Sequence, residues 1–374
     1  MDLFDRSRVE SRPLSRRKNK VKITETRVDP RQAGETLPEE LERKLEAMAR
    51  EILRARDRKR SVILAFGAHA IKNGLGPLLG DLARRGWVTH LATNGAGIIH
   101  DWEFAFQGES SEDVRANVQE GHFGTWEETG LYLNLALAAG ALEGLGYGES
   151  VGRLVVRDGL RLPSREELEV LIRKPGTAQA FPGERAAAAD LEDLMSRLNL
   201  APGWMEVSHP FREYSLQAAA WEAGIPFTGH PMFGHDIIYT HRAGAGAAIG
   251  RTAERDFLAY AASVSRLEGG VYLSVGSAVM SPMIFEKSLS MARNVLLPRG
   301  EDIRDCGIHV VDLQESPWDW SRGEPPMDHP AYYLRFMKTF SRMGCRTDYT
   351  GCDNRLFLSG LFRTLERMDS SAAG

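Results

Sequence analysis

The chain has 374 residues, 43% of them hydrophobic and 26% charged, a composition that excludes a disordered, collagen-like or disulfide-built protein. Lys+Arg 47 against Asp+Glu 51 leaves a net charge of −4, which argues against bulk nucleic-acid affinity and makes any basic partner site local. No run reaches the ~18–20 apolar residues of a membrane span, and the first residues lack the apolar core of a signal peptide.

Residues 1–35 read as a basic arm outside the fold, since Arg6–Lys22 carries eight Arg or Lys against the single acid Glu10 and has no helical apolar stripe. Residues 36–374 read as one large domain. It opens with an amphipathic helix over Leu37–Ala55, where Leu41, Leu45, Met48 and Ile52 share one face. Strand-like runs then alternate with helices: SVILAFGAH, WVTHLATNG, WMEVSHP, IPFTGH, GGVYLSVGSA and CGIHVVDLQ. Runs apolar on both faces and separated by helices predict an α/β fold with a mostly parallel sheet and helices on both faces, with ligands at the strand C-terminal ends. Helices are expected near Tyr214–Glu222, Ala253–Ser265 and Pro282–Arg293, and a helical insertion broken by Pro-Gly turns around residues 153–202. Cys306, Cys345 and Cys352, few and odd in number, predict buried thiols in a reducing, cytoplasmic compartment.

The most informative stretch runs from an apolar strand straight into Thr93, Asn94, Gly95, Ala96 and Gly97. Small residues there let a phosphate or ribose approach backbone N–H groups, and a helix beginning near His100 would aim its positive end at the same point. A second such turn is Gly276, Ser277 and Ala278, and two equivalent loops suit one dinucleotide. The run Gly244–Gly250 lacks a buried strand before it and reads as a loop or helix-packing segment. His100 and Asp101 are of the types that move protons near neutral pH. Trp318, among Asp319, Glu324 and Asp328, suits an organic cation. A rival reading takes His100, Asp101, His235, Asp236 and His241 as the ligands of a metal-dependent hydrolase or lyase, although their spacing matches no metal motif and no metal site is assigned. A non-catalytic NAD-binding oligomer is the third. No Walker loop and no Gly-x-Ser-x-Gly elbow is present.

The order of these segments resembles deoxyhypusine synthase over roughly residues 61–338. Thr93-Asn94-Gly95-Ala96-Gly97-Ile98-Ile99-His100-Asp101 is similar to that family's Thr-Thr-Ala-Gly-Gly-Val-Glu-Glu-Asp loop, Gly234-His235-Asp236-Ile237-Ile238 to its Gly-Asp-Met-Ile segment, and Gly276-Ser277-Ala278-Val279 to its triple-Gly turn. The resemblance implies a Rossmann-like, homotetrameric, NAD-binding protein with active sites between paired subunits. It also implies a transferase or oxidoreductase chemistry on an amine such as a polyamine, with a small amine or a protein lysine as acceptor. Asp236, with His235 and Trp318, would then bind the amine, and Lys338 is the nearest counterpart of the family's imine-forming lysine. The chain departs from the pattern where His100 replaces a carboxylate, Ser281-Pro282-Met283 replaces Lys-His-His, and no Trp-Gly-Lys occurs. A histidine attracts a cation less than a carboxylate does, so a less cationic substrate than spermidine is expected.

Overall fold

A computed structural model describes residues 1–31, 36–173 and 183–372. Its centre is a six-stranded sheet: β1 (Val62–Phe66), β2 (His90–Asn94), β3 (Phe227–His230), β4 (Val271–Val275), β5 (Gly307–Asp312) and β6 (Arg346–Gly351). The strands lie in the order β3-β2-β1-β4-β5-β6 and every pair is parallel. This is the doubly wound dinucleotide-fold order, in which the chain starts at the centre and winds outward to either edge. The direction of winding reverses between β1 and β4, so the connections leaving these neighbours diverge and open a crevice at their C-terminal ends.

The helices around the sheet include α1 (Glu39–Asp57), α2 (Ala68–Lys72), α3 (Gly76–Arg84), α4 (Gly95–Gln107), α5 (Glu127–Leu142), α6 (Tyr147–Arg157), α7 (Leu216–Ala223), α8 (Gly246–Val264), α9 (Met280–Leu296), α10 (Arg335–Ser341) and α11 (Asn354–Ala372). β1 is buried along its whole length because both faces are covered. Ile63 and Ala65 join Tyr272, Ile308 and Val310 under α8, α9 and α10. Val62, Leu64 and Phe66 face the other way, into a larger core with Leu45, Met48 and Ile52 of α1 and Phe357 and Leu361 of α11. Each fully buried aliphatic or aromatic side chain contributes about 1.5–3 kcal/mol, so α1 is held by its stripe. No helix among the described residues is long and apolar enough to cross a membrane.

The insertion comprises two helices, Arg165–Arg173 and Glu184–Arg197, closed by an antiparallel ribbon of Gly159–Leu162 with Gly203–Glu206. Its 174–182 portion, with the Pro175-Gly176 turn, lies outside the described residues, as do residues 32–35 at the arm's boundary.

The basic segment is not an arm outside the fold. Asn19–Lys22 pairs antiparallel with Glu109–Glu112, Leu14 is buried, and Arg6 donates to the carbonyls of Tyr239 and Gly244. Arg17 makes a two-pronged contact with Glu103 at 2.8 and 2.6 Å, where both side chains are 1% exposed. Glu103 also accepts from Ser110 and Thr129. Burial pushes its carboxyl up, but Arg17, with His100 and Ser110, holds it below the usual range. Internal acids, not solvent, therefore neutralise part of the arm's charge.

The cysteine expectation is corrected too. Cys306 and Cys345 form a disulfide, and only Cys352 is a free thiol. Each bonded cysteine directly precedes a strand, and Gly307 and Arg346 are register partners, so the adjacency of β5 and β6 brings the sulfurs together.

Candidate functional site

The crevice is built from strand ends. After β1 the chain turns at Gly67 into α2, and a Cβ on Gly67 would lie 2.1 Å from the Gly276 carbonyl oxygen. Only glycine lets the turns after β1 and β4 meet so closely. Gly276 has φ +59, the left-handed region, and open space around it. Ala278 and Val279 are exposed and Ser277 is nearly buried, its hydroxyl accepting from the Ser281 N–H at the start of α9. This turn is an open backbone cradle.

At β2 the expected loop is absent. The strand passes directly into α4 at Gly95, five residues before His100, with the Asn94 side chain capping the Gly97 N–H. Thr93 is buried and donates to the Phe66 carbonyl. A Cβ on Gly97 would strike Thr93 Oγ1 at 2.2 Å, and one on Gly95 would strike Asp236 Oδ2 at the same distance. Gly95, Ala96 and Gly97 are thus the first turn of a helix, and their smallness admits protein neighbours at Gly95 and Gly97. The Gly244–Gly250 run leads into α8 and forms its first turn, because that helix begins at Gly246, earlier than expected.

Asp236 comes from the segment after β3. It is 9% exposed, and its Oδ2 has no hydrogen-bond partner among the described residues. Nor have the buried hydroxyls of Tyr147, at the start of α6, and Tyr239. Burial raises the Asp236 carboxyl to about 6, only partly offset by the Met232 N–H and by His235. Burial pushes both tyrosine hydroxyls up, and the charge of Asp236 adds to it. Three oxygens without partners therefore share a neighbourhood beside the N-terminus of α4. Native interiors rarely tolerate such groups, so a cluster of them marks a place for a ligand or water. His235, next to Asp236, is exposed, as are Met232 and Phe233.

His100 lies on α4 with Nδ1 2.7 Å from Ser110 Oγ. Burial pulls its pKa to about 4 despite Glu103, with Lys72, Arg17 and His69 pulling the same way. The ring is therefore neutral at pH 7. His69 and Lys72 belong to α2, so the turn after β1 contributes two basic side chains near His100; Lys72 is half-buried and has no ion pair among the described residues. Asp101 faces elsewhere: its carboxylate accepts from Ser215 Oγ, the N–H groups of Leu216 and Gln217, and Gln217 Nε2, which closes the N-terminus of α7.

The structure does not bring Lys338 and Trp318 to this group. Both lie in the connection between β5 and β6, while Asp236 follows β3, and β3 and β5 stand four strand spacings, roughly 19 Å, apart. Lys338 Nζ sits 3.6 Å from the centre of the Tyr332 ring. Trp318 donates to the Gly323 carbonyl and lines a cavity of about 590 Å³ with Arg43, Lys44 and Tyr349. The five residues of the rival metal reading are also dispersed, since His241 is bonded to Glu127 and Asp101 to α7. Among the described residues no group of three or more His, Cys, Asp or Glu is placed to hold a metal ion. Lys72 follows the strand-like SVILAFGAH and could have been found at that strand's end. Tyr147 and Tyr239 carry no local signal.

No protein-family model matches the chain, and no curated protein sequence matches it. Among solved structures it is similar to AgrE in a ternary complex with ornithine and NAD+, at 15% identity and a TM-score of 0.45, covering 91% of this chain and 35% of that one. It is similar to a candidate LOR/SDH protein from Methanococcus maripaludis at 13% identity and a TM-score of 0.42, covering 92% and 75%. A candidate deoxyhypusine synthase from Entamoeba histolytica follows at 10% identity and 0.39, covering 87% and 88%. The chain spans about a third of the length of the AgrE chain. Likeness at this level concerns the arrangement of strands and helices, not activity.

Proposed function

We propose that the chain is an NAD-dependent enzyme acting on an amine, a transferase or oxidoreductase in the manner the deoxyhypusine synthase resemblance implies. The observation that carries this reading is the switch-point crevice itself, where Gly67 packs on Gly276 and leaves an open backbone turn at the place doubly wound sheets use for dinucleotides. The residues fit such a cofactor. Gly276, Ser277 and Ala278 offer backbone on one side, α4 opens with Gly95 and Ala96 on the other, and Lys72 can neutralise phosphate charge.

Asp236 lies one strand further out and would hold the substrate's ammonium group, with the Tyr147 and Tyr239 hydroxyls as further acceptors. Binding there would satisfy all three orphaned oxygens and favour the ionised carboxylate. NAD, when bound, would supply a hydride acceptor for the carbon next to nitrogen. His100, neutral at pH 7, is suited to hydrogen-bond the substrate and to take a proton only transiently. The substrate is a small amine, with another amine or a protein lysine as acceptor. We further propose a homotetramer, supported by exposed Val279, Met283, Met291, Val295 and Leu297 along α9 and its end, beside Leu258 of α8. The cytoplasmic setting inferred from cysteine usage has the Cys306–Cys345 disulfide against it.

The test is NADH formation by the purified protein from NAD+ with a panel of mono- and diamines, spermidine included. Asp236→Asn should abolish turnover while NAD+ affinity stays within about 3-fold, because that carboxylate serves the amine. No NADH with any amine, or full activity in Asp236→Asn, would overturn the reading.

A further inference from the structure

The face of the sheet under α8 is apolar around Ile63, Ala65 and Ala92, yet a line of polar side chains crosses it. His90, the first residue of β2, is fully buried. Its Nδ1 lies 2.8 Å from Ser263 Oγ on α8, and its Nε2 lies 3.0 Å from Thr228 Oγ1 on β3. Thr228 Oγ1 is in turn 2.9 Å from Nε2 of His230, two residues further along the same strand and on the same face. The Tyr260 ring, also on α8, stands edge-on to both imidazoles at 5.5 and 5.3 Å and covers the line. The two ends differ in position. His230 pairs in register with Asn94, the cap of α4, at the crevice end of the sheet. Ser263 lies near the C-terminus of α8, where the exposed Arg266 reaches its hydroxyl at 3.4 Å.

We propose that His230, Thr228, His90 and Ser263 form a proton-conducting chain that connects the crevice to solvent at the opposite end of the sheet. Each member can donate and accept at once: two hydroxyls, and two imidazoles with one nitrogen of each kind. A proton taken up at one end therefore displaces another along the line. Burial holds both rings down to about 3, so they stay neutral at pH 7 and pass charge on without retaining it. For packing alone an apolar pair would serve at less cost, since every polar atom buried here must be satisfied. The purpose of the chain, though not its existence, rests on the amine reading. In R–CH2–NH3+ + NAD+ → R–CH=NH2+ + NADH + H+, two electrons leave carbon as hydride, and one N–H proton must leave a site that excludes water.

The experiment needs no substrate. In protein labelled with 15N-histidine, exchange of the His90 ring N–H into deuterated water is compared with exchange of the Leu91 amide, which is bonded to the Pro226 carbonyl in the same strand. A conducting chain makes the ring proton exchange at least ~100-fold faster than that amide, which reports local opening. In Ser263→Ala the only hydrogen-bonded route left to His90 runs through Thr228 and His230, and fast exchange should persist. In Thr228→Val it should persist through Ser263, and in the double variant it should fall to the amide rate. Ring exchange as slow as the amide in the wild type makes the line a static network and overturns the proposal. So does loss of fast exchange in either single variant, because conduction then fails on one side. Should a variant not fold, the wild-type comparison and Thr228→Ser, which keeps the hydroxyl and should exchange as the wild type, still decide. None of these outcomes depends on NAD binding, so failure here and failure of the enzymatic reading are separable.

Discussion

Arg17→Met removes a guanidinium and keeps most of its volume. Glu103 would then retain only Ser110 and Thr129 as donors while staying 1% exposed. Breaking a buried pair by removing one partner costs about 3–5 kcal/mol, most of it the charge left behind. No discount for solvent screening applies at this burial. The cost must also depend on pH. In the wild type the Glu103 carboxyl is held below its unfolded value of about 4.3, so its contribution is present above that pH and lost as pH falls through the folded value. Without Arg17, burial dominates and the folded pKa rises, so the variant loses stability as pH climbs from about 4 upward. The gap between the two proteins should therefore be small near pH 4 and widest at neutral pH. Urea unfolding at several pH values reads this directly, and Arg17→Met/Glu103→Leu should recover much of the loss. A difference under about 1 kcal/mol at pH 7 would show that the basic segment is not docked on Glu103.

Asp236 has the opposite sign. Its folded pKa of about 6 lies above the unfolded ~3.9, so its contribution is fully present below pH 4 and is lost through pH 6, about 3 kcal/mol in all. Asp236→Asn should flatten that part of the stability profile in denaturant titrations, and an unchanged slope counts against the buried, unpartnered carboxylate. Gly97→Ala should cost about 1–3 kcal/mol, because its Cβ meets Thr93 Oγ1 at 2.2 Å, and unchanged stability in calorimetry would contradict that packing. Thiol titration of the unfolded, unreduced chain should find one reactive thiol, Cys352, and three would refute the Cys306–Cys345 bond.

Strands buried on both faces are the most readable part of such a sequence, and β1, β2 and β4 were legible as apolar runs ending in small residues. The place of the switch-point crevice followed from them. What stayed hidden depends on partners far along the chain. Gly95 and Gly97 read as a loop because nothing local reports that Asp236 and Thr93 press against them, and so the start of α4 was expected five residues late. Arg6–Lys22 read as solvated because Glu103, 86 residues beyond Arg17, gives no sign of being its partner. Asp101 looked like a proton carrier beside His100, but a helix residue one position on points about 100° away, here toward the unsatisfied N–H groups of α7. The disulfide was missed because it depends on β5 and β6 being neighbours, which sequence order alone does not state.

The central claim concerns where a dinucleotide binds, and a crystal structure of the wild type grown with NAD+ tests it most directly. Density for the cofactor is expected at the C-terminal ends of β1 and β4, in contact with the Gly276–Ala278 backbone and the first turn of α4. An empty crevice at saturating NAD+, or a dinucleotide bound elsewhere on the molecule, would contradict it.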